Sequence, residues 1–237
     1  MKDKTFGDAD IYAFQEVLEN EFIDIAAFDE SKDYIYRHWY GDHQEYGNCH
    51  IPRGEEGDLG IVLMSKKYRI QRFDQGLIRF RYVVPYIMLE KKEETEKEKF
   101  ILIHVWTKGK PDGYIEPIYK ALNYYKNQIE QKKLPIVMVG DFNFGVKFED
   151  SFLCDFQKEI SKSIPNLKML NINTSCKNRQ TFYFPKCSKT PYFNDTIYTR
   201  NCVGEMIIGN TKDWIKALGA TEDLSDHCPI MAELELQ

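Results

Sequence analysis

The stretch 137-VMVGDFNFG-145 decides how the fold is read, because an aliphatic run stops at a glycine and gives way to an acid, an aromatic and an amide. In an extended chain residues i and i+2 share a face, so Asp141 and Asn143 present a carboxylate and an amide together where a hydrophobic strand ends. Gly140 permits close approach of other backbone or of a ligand. Asp and Asn are also common turn residues, so GDFN by itself fits a capped turn equally well.

Working outward, other strand-like runs end in the same manner. The segment 10-DIYAFQE-16 finishes in Gln15-Glu16, 100-FILIH-104 sets His104 after four apolar residues, 194-NDTIY-198 places Asp195 at a strand start, and 225-SDHCP-229 puts Asp226 and His227 just before the last strand. Each has a bland account: a loop start, a hydrogen-bonded core histidine, a cap or a local Ser/Asp turn. Together they set five groups suited to divalent metal or proton transfer at strand termini. Carboxylates such as Glu16 and Asp226, with an amide and water, form the oxygen-rich shell that Mg²⁺ or Mn²⁺ takes. Two histidines with acidic neighbours supply proton transfer and phosphate contacts. The chemistry indicated is metal-assisted attack of water on a phosphoester.

The rest of the chain limits the classes available. Its 237 residues, 43% hydrophobic and 14% aromatic, predict a single domain spanning 1–237 with a sizeable core. Lys and Arg number 32 against 37 Asp and Glu, so the overall field does not attract polyanions, and a purely electrostatic nucleic-acid binder is disfavoured. A bound cation could supply positive charge locally. Six scattered cysteines form no CxxC pair, which argues against a zinc site or a dense disulfide framework. No apolar run reaches the roughly 18 residues of a membrane span, and a cytoplasmic location is the expectation.

Helical periodicity marks Ile115, Ile118, Leu122, Tyr125 and Ile129, and again Leu153, Phe156, Ile160 and Ile164 with Asp150 as N-cap. About ten short β-branched or aromatic runs read as strands, and 91-KKEETEKEK-99 between two of them reads as a solvated hairpin loop. This content implies two packed sheets with helices outside.

The series QE, an apolar strand with His, GDFN, DxI and SDHxP, in this order, resembles the endonuclease/exonuclease/phosphatase superfamily over roughly residues 8 to 236. The resemblance implies an α+β fold, a four-layer αββα sandwich of two mostly antiparallel sheets with the site at one mouth. It also implies roles: Glu16 and Asp226 at the metal, Asp141 as catalytic acid, Asn143 as phosphate-contacting amide, His227 paired with Asp195, and His104 as phosphate contact or acid toward the leaving group. Of Asp141 and His227, the oriented imidazole is favoured to prepare the water. The family's opening strand, ending in Trp-Asn, has no counterpart in MKDKTFGDAD, so the first strand is expected to be missing and the start shortened. The expected activity is hydrolysis of phosphodiesters, with DNA or RNA favoured. Phospholipids, small phosphoesters and a catalytically weak binding homologue remain open. The segment 34-YIYRHWYGDHQEYGNCHIPRG-54 reads equally as a substrate-side loop, with Trp39 and Tyr40 to stack on bases and Arg37 and Arg53 to meet phosphates, or as ordinary strand packing beginning with the strand-like run 34-YIYRHWY-40.

Overall fold

A computed structural model describes residues 9–18, 36–41, 45–46, 59–73, 83–92, 95–107, 115–146, 150–174, 176, 181, 193–209, 227 and 230–237. Strands β1 (Ile11–Leu18), β2 (Tyr36–Gly41), β3 (Glu45–Tyr46) and β4 (Leu59–Ser65) form an antiparallel sheet in the order β1-β4-β2-β3. A second sheet contains β5 (Tyr68–Arg72), β6 (Val83–Lys92), β7 (Thr95–Trp106), β8 (Ile136–Val146), β9 (Lys168–Met169) and β10 (Phe193–Arg200), in the order β5-β6-β7-β8-β10-β9. Every ladder in it is antiparallel except β7 with β8. That parallel pair requires a crossover, which α1 (Glu116–Lys132) provides; α2 (Ser151–Ser163) follows β8. Strands β11 (Cys202–Ile208) and β12 (Ile230–Leu236) make a separate antiparallel pair.

Both helices form where the apolar period places them. In α1 the buried residues are Ile118, Ala121, Leu122, Tyr125 and Ile129, and Pro117 near the N-terminus sits where no intrahelical N–H is needed. In α2 the Asp150 carboxylate accepts the Phe152 N–H at 2.9 Å, the expected N-cap, while Leu153, Phe156 and Ile160 face inward. Phe156 packs edge-to-face against Phe142 of β8 and Tyr198 of β10, which fixes this helix over the centre of the larger sheet. On the other face of that sheet, β1 and β4 lie against β7 and β8, and β2 lies against β5. The described residues therefore supply three layers, helix, sheet and sheet, of the αββα arrangement. Among them no helix is long and apolar enough to cross a membrane.

One sequence expectation needs amendment. The charged run 91–99 is largely strand rather than loop: β6 and β7 continue through it, and Glu90 pairs with Lys97 and Lys91 with Glu96 across the ladder. Glu90 forms ion pairs with Lys67 and Lys99, and Glu96 with Arg69, so a polar composition did not mean irregular backbone. The run 34–40 falls mostly in β2, so Arg37, Trp39 and Tyr40 stand in a strand, with Trp39 paired to Tyr46 and Tyr40 to Glu45. Arg53 and the N-terminal residues 1–8 lie outside the described residues.

Gly140 sets how closely β8 approaches β7. Its φ is +143°, and a Cβ there would stand 1.8 Å from the Val105 carbonyl oxygen, far inside contact distance. Both the backbone conformation and the packing therefore require glycine. Gly140→Ala is expected to destabilise the fold by about 3 kcal/mol or more, read as a lowered midpoint in thermal unfolding, and a change within about 0.5 kcal/mol would contradict the close approach.

Candidate active site

The expected site residues among those described enter from four strands and one isolated position. Asp141 lies in β8 opposite Asp195 of β10, and on its other side opposite Trp106 of β7. Asp141 is 3% exposed and Asp195 6%. The proximity of Asp141 and Asn143 arises differently from the simple pleat. Strand β8 does not stop before the acid but runs through it, and between Asp141 and Val146 it bulges out of register with β10. Asn143 takes a left-handed φ of 50°, a conformation asparagine tolerates better than most residues. Its backbone N–H donates to Asp141 Oδ1 at 2.8 Å, and its Nδ2 donates to Asp141 Oδ2 at 2.7 Å and to the Thr107 carbonyl at 2.6 Å. Both amide hydrogens are thus engaged within the protein, so a phosphoryl contact by Asn143 would require one of these bonds to exchange.

His227 Nδ1 lies 2.8 Å from Asp195 Oδ2, with the imidazole 26% exposed. Asp195 is itself held from behind. Thr181 Oγ1 accepts the backbone N–H groups of Asn194 and Asp195, and Asn194 Oδ1 accepts the Gly145 N–H. Residue type alone offered no signal for Thr181, which is distant in sequence and precedes the strand that it orients.

Glu16 reaches the site from β1. It is exposed, has φ 56°, and sits where β1 slips by one residue against β4 between Phe14 and Val17. The Trp106 indole N–H donates to its Oε1 at 3.2 Å. His104, two residues earlier on β7, is fully buried, and its Nε2 lies 2.7 Å from Gln15 Nε2. The sequence pattern thus located Gln15, Glu16 and His104 but missed Trp106, although its spacing of two from His104 places both on one face. Asp226 lies outside the described residues.

The site's electrostatics follow from this convergence. The Asp141 carboxyl is pushed up from its ordinary value of 3.8 to about 7, chiefly by burial and then by the negative charge of Asp195, with Glu16 adding to the rise. His227 and the Asn143 N–H work in the opposite direction without cancelling it. One ligand atom each from Asp141, Asp195 and His227 lie within 4.8 Å of one another. Oxygen-rich, mutually repelling carboxylates around a partly open imidazole fit a divalent cation, whose charge would relieve the repulsion.

A proton held by folded Asp141 but released in the unfolded chain makes stability fall as pH rises. The loss begins near pH 4, where the unfolded carboxyl ionises, and is complete above about pH 7. In metal-free protein, the stability difference between native chain and Asp141→Asn should therefore shift against the native chain across this window, measured by denaturant unfolding in EDTA. A difference that is flat from pH 4 to 7 would refute the raised carboxyl.

No protein-family model matches the sequence, and a search of curated proteins found no significant match. Solved structures do match in fold. A beta toxin mutant from Staphylococcus aureus with bound magnesium ions superposes with a TM-score of 0.61 at 17% identity, covering 97% of this chain and 88% of that one. An endonuclease/exonuclease/phosphatase family protein from Bacteroides thetaiotaomicron gives a TM-score of 0.57 at 17% identity, covering 97% and 84%. Sphingomyelinase C from Streptomyces griseocarneus gives 0.57 at 12% identity, covering 96% and 87%. The helix-flanked pair of sheets described above is accordingly the fold of the endonuclease/exonuclease/phosphatase proteins.

Proposed function

We propose that the protein is a divalent-metal-dependent phosphoesterase that hydrolyses phosphodiester bonds by direct attack of water. The observation that carries this reading is the His227–Asp195 pair standing beside the buried carboxyl of Asp141, with Glu16 entering from the opposing sheet. An ionised Asp195 only accepts, so it draws the imidazole proton to Nδ1 and leaves Nε2 as an acceptor. The exposed part of His227 admits water, whose proton Nε2 takes as the oxygen attacks phosphorus. Asp195 then offsets the charge of the resulting imidazolium. Asp141, buried beside that pair, is placed to exchange a proton with the leaving oxygen. Mg²⁺ or Mn²⁺, taken by Glu16 and by Asp226 in the sequence reading, would supply positive charge to the phosphoryl oxygens when bound. Asn143 would meet the phosphate by exchanging its bond to Asp141, and His104 would act from behind the surface through Gln15.

For the substrate we favour a nucleic acid, on residue type: Arg37, Trp39 and Tyr40 share β2, and aromatic and guanidinium groups suit stacked bases and phosphates. The fold similarity to sphingomyelinase C supports a second reading, a phospholipid headgroup ester. Purified protein would be assayed on bis-p-nitrophenyl phosphate, supercoiled plasmid, single-stranded RNA and sphingomyelin vesicles with Mg²⁺, Mn²⁺ or EDTA. Metal-dependent turnover is expected, abolished by EDTA and reduced about 10²- to 10⁴-fold in Asp141→Ala and His227→Ala. Undiminished turnover in both variants would overturn the assignment, and no turnover with any metal would make the chain a binding homologue. Preference for vesicles over both nucleic acids would select the phospholipid reading.

A further inference from the structure

We propose that Trp106 is a positioning residue for Glu16, its indole N–H holding the carboxylate in the orientation from which it takes a divalent cation. The inference rests on the reading of Glu16 as a metal-holding group.

The argument begins with a geometric difficulty. In a regular strand consecutive side chains point to opposite faces, so Gln15 and Glu16 should not both meet the neighbouring sheet. They do meet it: Gln15 contacts His104 at 2.7 Å and Glu16 contacts Trp106 at 3.2 Å. His104 and Trp106 are two apart on β7 and therefore share a face. What reconciles the strands is the bulge in β1, where Phe14 pairs with Val62 and Val17 with Gly60, together with the left-handed φ of 56° at Glu16. Glutamate has no intrinsic preference for that conformation, so surrounding contacts must hold it. Two hydrogen bonds with β7 residues, one donated by Gln15 to His104 and one donated by Trp106 to Glu16, supply such contacts on successive residues.

The consequence for Glu16 is orientation. Its side chain is exposed and long, with several rotamers open to it, whereas Trp106 is 2% exposed and fixed in the core. Trp106 also stands directly opposite Asp141 in the β7–β8 ladder, so the indole ties Glu16 to the strand pair that carries the other carboxylate. A carboxylate has lone pairs enough to accept one N–H and still bind a cation, and hydrogen-bond partners of this kind commonly set the direction of a ligating oxygen.

The test is a Mn²⁺ titration of the full chain, with free Mn²⁺ followed by electron paramagnetic resonance. Four proteins are compared: native, Glu16→Gln, Trp106→Phe, and a chain with benzothienylalanine at position 106, which keeps the bicyclic shape and lacks the N–H. Thermal unfolding in EDTA identifies any loss of folding in Trp106→Phe, and the benzothienyl chain preserves the core. Both position-106 proteins should bind Mn²⁺ about tenfold more weakly than native or worse. If the folded benzothienyl chain binds within about twofold of native while Glu16→Gln is weakened, the positioning role falls and the metal reading stands. If native protein binds no Mn²⁺, or Glu16→Gln binds as native does, the metal reading itself falls and takes this inference with it.

Discussion

One row of the larger sheet carries the site: Trp106 of β7, Asp141 of β8 and Asp195 of β10 stand side by side in consecutive ladders. Because β7 and β8 run parallel and β10 antiparallel, this register is set by the crossover through α1 and by the tight contact of Gly140 with Val105. A slip of one residue would turn every one of these side chains to the opposite face. From that row the site extends in two directions. Trp106 reaches Glu16 across the gap between sheets, and Asp195 reaches His227. The helices α1 and α2 press on the far face, so the row is backed by a packed aromatic and aliphatic layer.

Gathering acids in this manner costs stability, and the structure shows how the cost is limited. Asp141 accepts two bonds from Asn143, whose amide is anchored in turn by the Thr107 carbonyl; Thr107 Oγ1 donates to the Phe142 carbonyl at 2.8 Å. Thr181 orders the backbone at Asp195. These bonds satisfy polar groups that burial would otherwise leave bare, but they do not restore an ordinary carboxylic acidity to Asp141. Unusual backbone occurs at the same place, with left-handed φ at Glu16 and Asn143 and an extreme glycine at 140. Local backbone conformations of that kind are maintained by surrounding structure and tend to gather where function requires them.

Function at this level comes from the site rather than from the sheets. The fold is shared with a toxin, a sphingomyelinase and other endonuclease/exonuclease/phosphatase proteins at identities of 12% to 17%, and such a scaffold hosts several substrate classes.

Several features were legible in the chain itself. Asp150 as N-cap and the three-and-four spacing of Ile118, Leu122, Tyr125 and Ile129 are local signals, and local geometry honoured them. So were the acids and histidines at the ends of apolar runs, because a residue type that is costly to bury stands out where burial begins. The structure alone decided which of them meet. The pleat predicted that Asp141 and Asn143 share a side, but a bulge and a left-handed asparagine bring them together. The Trp106 bond to Glu16 and the Thr181 bond to Asp195 join residues 90 and 14 positions apart, and no periodicity encodes them. Composition and spacing report what a short segment prefers, whereas strand order, register and the distance between sheets follow from packing the whole chain at once.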